Sequence, residues 1–325
     1  MAETTNTGIG QSVRRREDMR FITGAGRYTD DINRPGQAHA VFLRSPHARA
    51  RIASIDASLA LAKPGVVAVL TGAEMAADGL GDLPCGWMIH STDGEEMKQP
   101  PHPALAADTV NYVGEPYALV IANSVAEARD AAEDVMTEFE ELPAVVFAGQ
   151  AQAEGAPQLY AEIARNTCYQ WELGEKEATD AAFETAAHVT TLEFENNRML
   201  PNAIEPRACV AEYDSATQDF TLFTTSQNPH LARLVLAAFV QIAPEHRIRV
   251  VSPDVGGGFG SKIFVYAEET ACTWAARRIG RPVKWTAQRS ESFLADAHGR
   301  DHLTKAELAL AKPGVVAVLT GAEMA

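Results

Sequence analysis

The stretch DVGGGFGSKI, Asp254–Ile263, follows an apolar β-branched run and precedes a helical pattern, so it predicts a strand–turn–helix unit. Its three consecutive glycines, Gly256–Gly258, let the backbone reach positive φ and bring N–H groups against a bulky, electron-rich group. The dinucleotide pattern GxGxxG does not fit, because its third glycine is replaced by Ser261, and the phosphate loop GxxxxGK[ST] is absent. The turn alone is equally compatible with a role in packing the helix against the strand.

The composition indicates an ordinary globular protein, with 46% hydrophobic and 22% charged residues among 325. A formal net charge of −15 argues against nucleic acid as a partner, since phosphate binding requires clustered Lys and Arg. No apolar run approaches the roughly 20 residues that span a bilayer, and the first residues do not resemble a secretory signal. We therefore expect a cytoplasmic protein with no membrane span.

The four cysteines lie far apart and form no C-x-x-C pair. This spacing predicts neither disulfides nor a zinc or iron–sulfur site in this chain. We expect each cysteine to be a small buried apolar residue. The four are Cys85, Cys168, Cys209 and Cys272.

Two regions of mixed α/β (α+β) character are predicted, joined by a small, polar, glycine-containing linker at Ala148–Ala156. In the first region, a capping box of Ser124 and Glu127 predicts a helix over Ser124–Met136. Apolar, β-branched runs predict its strands at Ala38–Arg44, Gly65–Gly72, Glu115–Ala122 and Glu140–Val146.

The second region repeats this mixture of elements. A hairpin is predicted from Ala208–Asp214 and Phe220–Ser226, and its other strands are His188–Asn196, His246–Pro253 and Val283–Ala287. Helices are predicted at Glu177–Ala187, Asn228–Val240 and Tyr266–Ile279, the last ending at Gly280 before Pro282.

Six further segments accompany the glycine turn in fixed order: Arg15–Ile32, Phe42–Asp56, Asn111–Ala122, Asn196–Ala208, Thr224–His230 (TTSQNPH) and Gly280–His302. Together with the turn they resemble the molybdenum-binding large subunit of the xanthine dehydrogenase and aldehyde oxidase family. The nearest branch is the bacterial three-subunit one that includes aerobic carbon monoxide dehydrogenase. The resemblance covers about residues 10–307.

The resemblance implies a domain order and a site. Residues 1–150 correspond to the structural a/b hammerhead domain, and residues 160–307 to the first part of the molybdopterin-binding α+β domain. In the family, the glutamine of TSQxPH lies beside the apical oxo group of the metal, and it is Gln227 here. The phenylalanine and following glycine of GGGFG border the substrate channel, and the glycine N–H faces the same oxygen. The implied cofactor-binding residues are Gln227, Gly257, Gly258, Phe259 and Gly260, with no direct metal ligand.

The implied chemistry is hydroxylation of a small-molecule substrate with oxygen from water. The cofactor would be molybdenum–molybdopterin in its cytosine dinucleotide form. FAD and [2Fe–2S] clusters would reside in separate medium and small partner subunits. Ile263 stands where purine-oxidising relatives carry glutamate, which favours an aldehyde, an N-heterocycle or CO.

No complete catalytic set is expected in this chain. The general-base glutamate of the family lies in a G-x-G-E setting that this sequence lacks, so the chain is expected to be inactive alone. Glu268 and Glu269 follow the glycine turn and are expected to pair on a solvated helix face. Glu205 and Arg207 could form a buried pair, but a purely structural role is equally compatible with the sequence.

The eighteen residues LALAKPGVVAVLTGAEMA at Leu59–Ala76 recur without change at Leu308–Ala325. Structural repeats diverge and recur more than twice, so this copy indicates recombination or assembly, and native sequence is expected to end near Glu307. The second GVVAVLTG is expected to dangle, to pair at a stray sheet edge or to displace the first. Protection of Lys312–Ala325 during limited proteolysis would contradict a dangling tail.

Two other functions stay open from sequence. The chain could be a non-catalytic scaffold or assembly piece that docks partner subunits without binding metal. It could also be an unrelated α/β binding protein in which the glycine turn only packs. Molybdenum analysis of the purified chain separates the first alternative from the enzyme.

Overall fold

Seven strands from both halves of the sequence form one mixed sheet in the computed structural model, which describes residues 9–10, 12–86 and 88–310. The strands are β1 (Ala38–Arg44), β2 (Ala50–Asp56), β3 (Val66–Thr71), β4 (Thr109–Val110), β5 (Pro116–Ala122), β6 (Met136–Glu141), β7 (His188–Asn196), β8 (Ala208–Asp214), β9 (Asp219–Thr224), β10 (Ile248–Val251), β11 (Val283–Thr286) and β12 (His302–Leu310). The large sheet has the order β10-β9-β8-β11-β1-β5-β3. Two small sheets have the orders β4-β2-β6 and β12-β7.

The helices are short except for one. They are α1 (Asp18–Ile22), α2 (Ser58–Leu61), α3 (Gly72–Ala77), α4 (Val125–Ala132), α5 (Lys176–Glu184), α6 (Pro229–Leu234, followed by a π-helical turn at Val235–Phe239), α7 (Ala267–Ile279) and α8 (Arg289–Ala295). Within the residues that the structure describes, no helix is long and apolar enough to cross a bilayer.

The two predicted regions share the large sheet. Strand β11 pairs in parallel with β1, placing Ala38 opposite Val283, and on its other side β11 pairs antiparallel with β8. Strands from residues 38–122 and from residues 208–286 therefore belong to one hydrogen-bonded ladder. The domain boundaries near residues 150 and 160 remain predictions.

The core lies between this sheet and α7. All seven residues of β5 are buried, as expected for an apolar strand covered on both faces. Nine consecutive residues of α7, from Glu268 to Ala276, are also buried. Trp274 on α7 and Trp285 on β11 are among the largest buried side chains, and Trp285 packs edge-on against Phe42 of β1.

Local sequence patterns predicted several elements well. Strands β1 and β7 have the predicted bounds, and the hairpin of β8 and β9 is confirmed. The helix predicted over Ser124–Met136 is capped by Ser124 but ends at Ala132, and the strand predicted at Glu140–Val146 is wrong. Strand β6 begins at Met136 instead, because it pairs with β2, a partner far away in sequence.

The prediction that each cysteine is buried is correct for two of the four. Cys209 on β8 and Cys272 on α7 are fully buried. Cys85 is exposed and Cys168 half-buried, because both lie in loop segments outside the sheets. All four are free thiols.

The first copy of the duplicated stretch keeps its place in the fold. Its residues Val66–Thr71 form β3 at the edge of the large sheet, so the expectation of displacement is wrong here. The second copy begins with Leu308–Leu310, which pair with His188–Thr190 as the end of β12. The expectations for Lys312–Ala325 lie outside the described residues.

Candidate functional site

Two parallel strands bring Gln227 and the glycine turn together. Strand β9 ends at Thr224 and β10 ends at Val251, and the two pair in parallel with Val251 opposite Phe223. Gln227 follows the first strand, and the turn at Asp254–Ile263 follows the second. Because the carboxyl ends of parallel strands meet at one edge of a sheet, both segments lie at the place where α/β sheets bind ligands.

The turn folds directly onto the Gln227 side chain. The Gly260 N–H donates to Gln227 Oε1 at 3.0 Å, and the Gln227 N–H donates to the Lys262 carbonyl at 2.8 Å. A Cβ on Gly258 would lie 2.4 Å from Gln227 Oε1, so only glycine allows this approach. The sequence-predicted residues Gln227, Gly258 and Gly260 are therefore in contact.

The resemblance implies that the Gln227 side chain and the Gly260 N–H both face one oxygen of the cofactor, and this stays a prediction. In the structure the Gly260 N–H is bonded to Gln227 itself, because the side-chain oxygen reaches it across the turn. The group that Gln227 can still offer as a donor is its amide nitrogen Nε2.

Phe259 and Gly257 form the outer part of the turn. Phe259 has a φ of +53° and is 74% exposed. Gly257 has a φ of +99°, and a Cβ there would lie 2.9 Å from the Phe259 ring. A bulky residue at positive φ is a strained conformation that is concentrated at functional sites. The turn thus presents an aromatic ring outward beside Gln227.

The acidic pair after the turn is buried, so its prediction as a solvated face is wrong. Glu268 is 1% exposed and lies between two arginines: its carboxylate accepts from Arg207 Nη1 at 2.6 Å and from Arg44 Nη2 at 2.7 Å. Burial alone would raise the pKa of Glu268, but Arg207 and Arg44 lower it to about 2. These arginines supply the charge that allows α7 to be buried at its start.

Glu269 caps the same helix. Its carboxylate accepts from the Tyr266 N–H at 2.9 Å and from the Thr224 hydroxyl. Burial raises its pKa, and the two hydrogen bonds oppose that change. A carboxylate at the third helical position that bonds the N-cap backbone is a common start signal. Glu269 therefore ties the end of β9 to the start of α7, next to Gln227.

Glu205 and Arg207 do not pair with each other. Glu205 binds Lys262, with Nζ 3.2 Å from Oε2, whereas Arg207 binds Glu268 and also Asp296. Side chains two apart share one face of a strand, but Glu205 lies in a bend before β8 begins, so the two side chains diverge. One faces the glycine turn, and the other faces the start of α7.

Tyr266 was missed by the sequence reasoning. Its ring lies on the Arg207 guanidinium at 3.8 Å, and its hydroxyl donates to the Ser261 carbonyl at 2.7 Å while accepting from the Ala297 N–H. It therefore braces the end of the turn. A tyrosine at a helix N-cap just after a glycine turn was the available signal, but its partners are distant in sequence.

A cavity of about 760 Å³ opens beside α7 and α8. Its lining includes Tyr112, Phe264, Tyr266, Glu268 and Phe293, but neither Gln227 nor Gly257–Gly260. The glycine turn and this cavity are therefore separate features that share the segment after Ile263.

Comparison with known proteins identifies the family. Residues 159–322 match the molybdopterin cofactor-binding domain family, and residues 23–143 match the a/b hammerhead domain of aldehyde oxidase and xanthine dehydrogenase. The chain belongs to the xanthine dehydrogenase and aldehyde oxidase family. This confirms the resemblance that the sequence segments indicated.

Two curated relatives and one solved structure show how far the similarity extends. The chain is 36% identical to the carbon monoxide dehydrogenase large chain of Afipia carboxidovorans, covering 95% of this chain and 38% of that one. It is 36% identical to the nicotine 6-hydroxylase large subunit of Paenarthrobacter nicotinovorans, covering 94% and 36%. Quinoline 2-oxidoreductase from Pseudomonas putida 86 aligns with a TM-score of 0.83 at 38% identity, covering 93% and 37%. The chain spans less than two fifths of the length of these relatives.

The open side of the turn fits the organic part of a molybdopterin cofactor. A Cβ built on Gly260 would have no atom within 4 Å, and Phe259 and Gln227 are exposed beside it. This side of the turn is therefore open to a ligand beside Gln227. Across the described ranges, no group of three His, Cys, Asp or Glu side chains is arranged to hold a metal ion.

Proposed function

We propose that the chain provides the hammerhead domain and the glycine-turn part of a molybdenum hydroxylase large subunit. The enzyme would oxidise an aldehyde, an N-heterocycle or CO, with water as the oxygen source. The observation that carries this proposal is the contact of Gln227 with Gly258 and Gly260 at the carboxyl edge of the sheet. The names of the relatives, which include a carbon monoxide dehydrogenase and a nicotine 6-hydroxylase, support these substrate classes.

The residues of this chain would hold and orient the cofactor. When bound, the molybdenum cofactor supplies the redox centre of the reaction. Gln227 offers its amide nitrogen as a fixed donor, because its oxygen is already bonded to Gly260. Phe259 places an apolar ring at the border of the site, and Ile263 offers no hydrogen bond to a purine. Both favour a small or weakly polar substrate.

The finer parts of the proposal concern the cofactor form, the partners and the compartment. We propose the cytosine dinucleotide form of molybdopterin, with electrons passing to a small iron–sulfur subunit and a medium FAD subunit. The words "large chain" and "large subunit" in the relatives' names support a multi-subunit enzyme. Four free thiols support the cytoplasm as the compartment. This sequence lacks the G-x-G-E segment, so we expect the chain alone to be inactive.

Molybdenum retention tests the proposal. We expect the chain, co-expressed with a cofactor-insertion system, to retain close to one molybdenum per chain by elemental analysis, with a matching pterin fluorescence. The Gln227→Ala variant should retain about tenfold less, since one charge-assisted donor contributes about 1.5–3 kcal/mol. Its thermal unfolding should change little, because Gln227 is exposed and its side chain accepts one hydrogen bond, from the Gly260 N–H.

Gln150→Ala is the matched control, because Gln150 is an exposed glutamine far from the glycine turn in sequence. It should retain as much molybdenum as the unchanged chain. A chain without molybdenum or pterin that still binds the partner subunits would contradict the enzyme proposal and support the scaffold. Equal retention by Gln227→Ala would remove Gln227 from the site.

A further inference from the structure

The two ends of the glycine turn meet at one carboxylate. At the first end, the Gly256 N–H donates to Glu205 Oε2 at 2.6 Å, and the Glu205 N–H donates back to the Gly256 carbonyl at 3.2 Å. At the other end, Lys262 Nζ donates to the Glu205 carbonyl at 2.8 Å and lies 3.2 Å from the same Oε2. Residues 256–262 therefore close as a loop over Glu205.

These contacts are close-packed and largely dry. The Lys262 side chain is 2% exposed and that of Glu205 is 14% exposed. A Cβ on Gly256 would lie 2.5 Å from Glu205 Cβ, so glycine is required there for the approach. Hydrogen bonds that involve an ionised group are about twice as strong as neutral ones. Solvent competes little for this carboxylate.

The contact extends from Glu205 to the proposed cofactor donor. The Lys262 carbonyl accepts from the Gln227 N–H at 2.8 Å, and Gly260, two residues before Lys262, donates to Gln227 Oε1 at 3.0 Å. Lys262 is thus held by Glu205 through its side chain and holds Gln227 through its backbone. Fixing Lys262 therefore holds the Gln227 backbone, and the Gly260 N–H on the same turn orients the Gln227 side-chain amide.

We propose that Glu205 is a positioning residue that holds the glycine turn in register with Gln227 before any cofactor arrives. It touches neither Gln227 nor the open side of the turn and acts through Gly256 and Lys262. The link to cofactor binding rests on the proposed function, whereas the effect on the turn does not.

Hydrogen exchange of the full chain without cofactor tests the effect on the turn. In Glu205→Ala, the backbone N–H groups of Gly256, Gln227 and Gly260 should exchange about 10- to 100-fold faster. This is the change expected for the loss of a hydrogen bond to a charged group. Glu205→Gln keeps an oxygen for the Gly256 N–H but loses the charge that Lys262 binds. Glu205→Gln should increase the exchange rates of these N–H groups by less than Glu205→Ala does. It can be measured in place of Glu205→Ala if that variant does not fold.

Asp134→Asn is the matched control, since it removes a carboxylate that contacts Lys63 elsewhere on the molecule. It should leave exchange in the turn unchanged. Unchanged exchange of the turn in both Glu205 variants would overturn the proposal. Acceleration that spreads equally through α7 would also overturn it, because it would indicate general unfolding.

Molybdenum retention then tests the link to the cofactor. We expect Glu205→Ala to retain about tenfold less molybdenum and Glu205→Gln to lie between it and the unchanged chain. Full retention in both variants, together with a loosened turn, would overturn the positioning role toward the cofactor. If the unchanged chain itself retains no molybdenum while the turn is loosened by Glu205→Ala, the hold on the turn stands and the proposed function falls.

Discussion

The Glu268→Ala variant is expected to have a free energy of unfolding about 3–5 kcal/mol lower than that of the unchanged chain. This is the usual loss when one member of a buried ion network is removed. Glu268 is the only carboxylate that binds both Arg44 and Arg207 in the part of the chain that the structure describes. Without it, Arg207, 1% exposed, would keep only Asp296 as an ion-pair partner. Urea unfolding followed by tryptophan fluorescence measures the loss.

Glu291→Ala is the control for this prediction. Glu291 contacts Arg44 at 3.0 Å, has a more exposed side chain and does not touch Arg207. Its removal should lower the free energy of unfolding by about 1–2 kcal/mol, from the partly exposed pair with Arg44 and from the cap that its carboxylate gives the Gln288 N–H of α8. Equal losses in the two variants would show that the burial of Glu268 between two arginines does not determine its contribution to the free energy of unfolding.

The contribution of Glu268 to the free energy of unfolding also depends on pH. Its folded pKa is depressed to about 2 from an ordinary value of 4.5. The stability that it provides is therefore present above about pH 4.5 and is lost as the pH falls toward 2. Stability curves should be compared above that window.

Stability is expected to fall as the pH rises through 7, and Glu115→Gln should remove this fall. Burial raises the pKa of Glu115 from 4.5 to about 7, although the N–H groups of Asn111 and Tyr112 lower it in part. A raised carboxyl pKa gives a contribution that is fully present below about pH 4.5 and lost as the pH passes 7. The difference corresponds to about 3 kcal/mol between pH 4.5 and 8.

The measurement is urea unfolding of both chains from pH 5 to 8.5. Glutamine keeps a side-chain oxygen that can accept from the same backbone N–H groups, so Glu115→Gln should be as stable at pH 5 and more stable at pH 8. Glu133→Gln, at an exposed glutamate, should follow the unchanged chain. Parallel curves for the unchanged chain and Glu115→Gln would show that the pKa of Glu115 is not raised in the folded chain.

The sequence predicted what depends on neighbours along the chain. The alternation in β7, the apolar run of β5 and the Ser124 cap determine local structure, and each is found where expected. The bounds that failed depend on a distant partner: β6 begins early because β2 offers it a ladder. A local pattern carries no record of that pairing.

The site was predicted from the resemblance rather than from local pattern. Gln227 and Gly260 lie 33 positions apart, and only the parallel pairing of β9 and β10 brings them together. The charged network escaped prediction for the same reason, because Arg44, Arg207 and Glu268 come from three remote segments. A glutamate after a turn normally faces water. The residues near Glu268 in sequence do not indicate that it pairs with two arginines from distant segments.

The position of β11 has a consequence for how the polypeptide holds together. This strand, from near residue 283, lies between β8 and β1, so it joins the late part of the chain to the early part edge to edge. The segment Ala148–Ala156 therefore links two parts of one folded unit. A protease that cuts this segment would not release the hammerhead domain. The fragments would stay clasped by the backbone ladder and by the bond from Arg44 to Glu268.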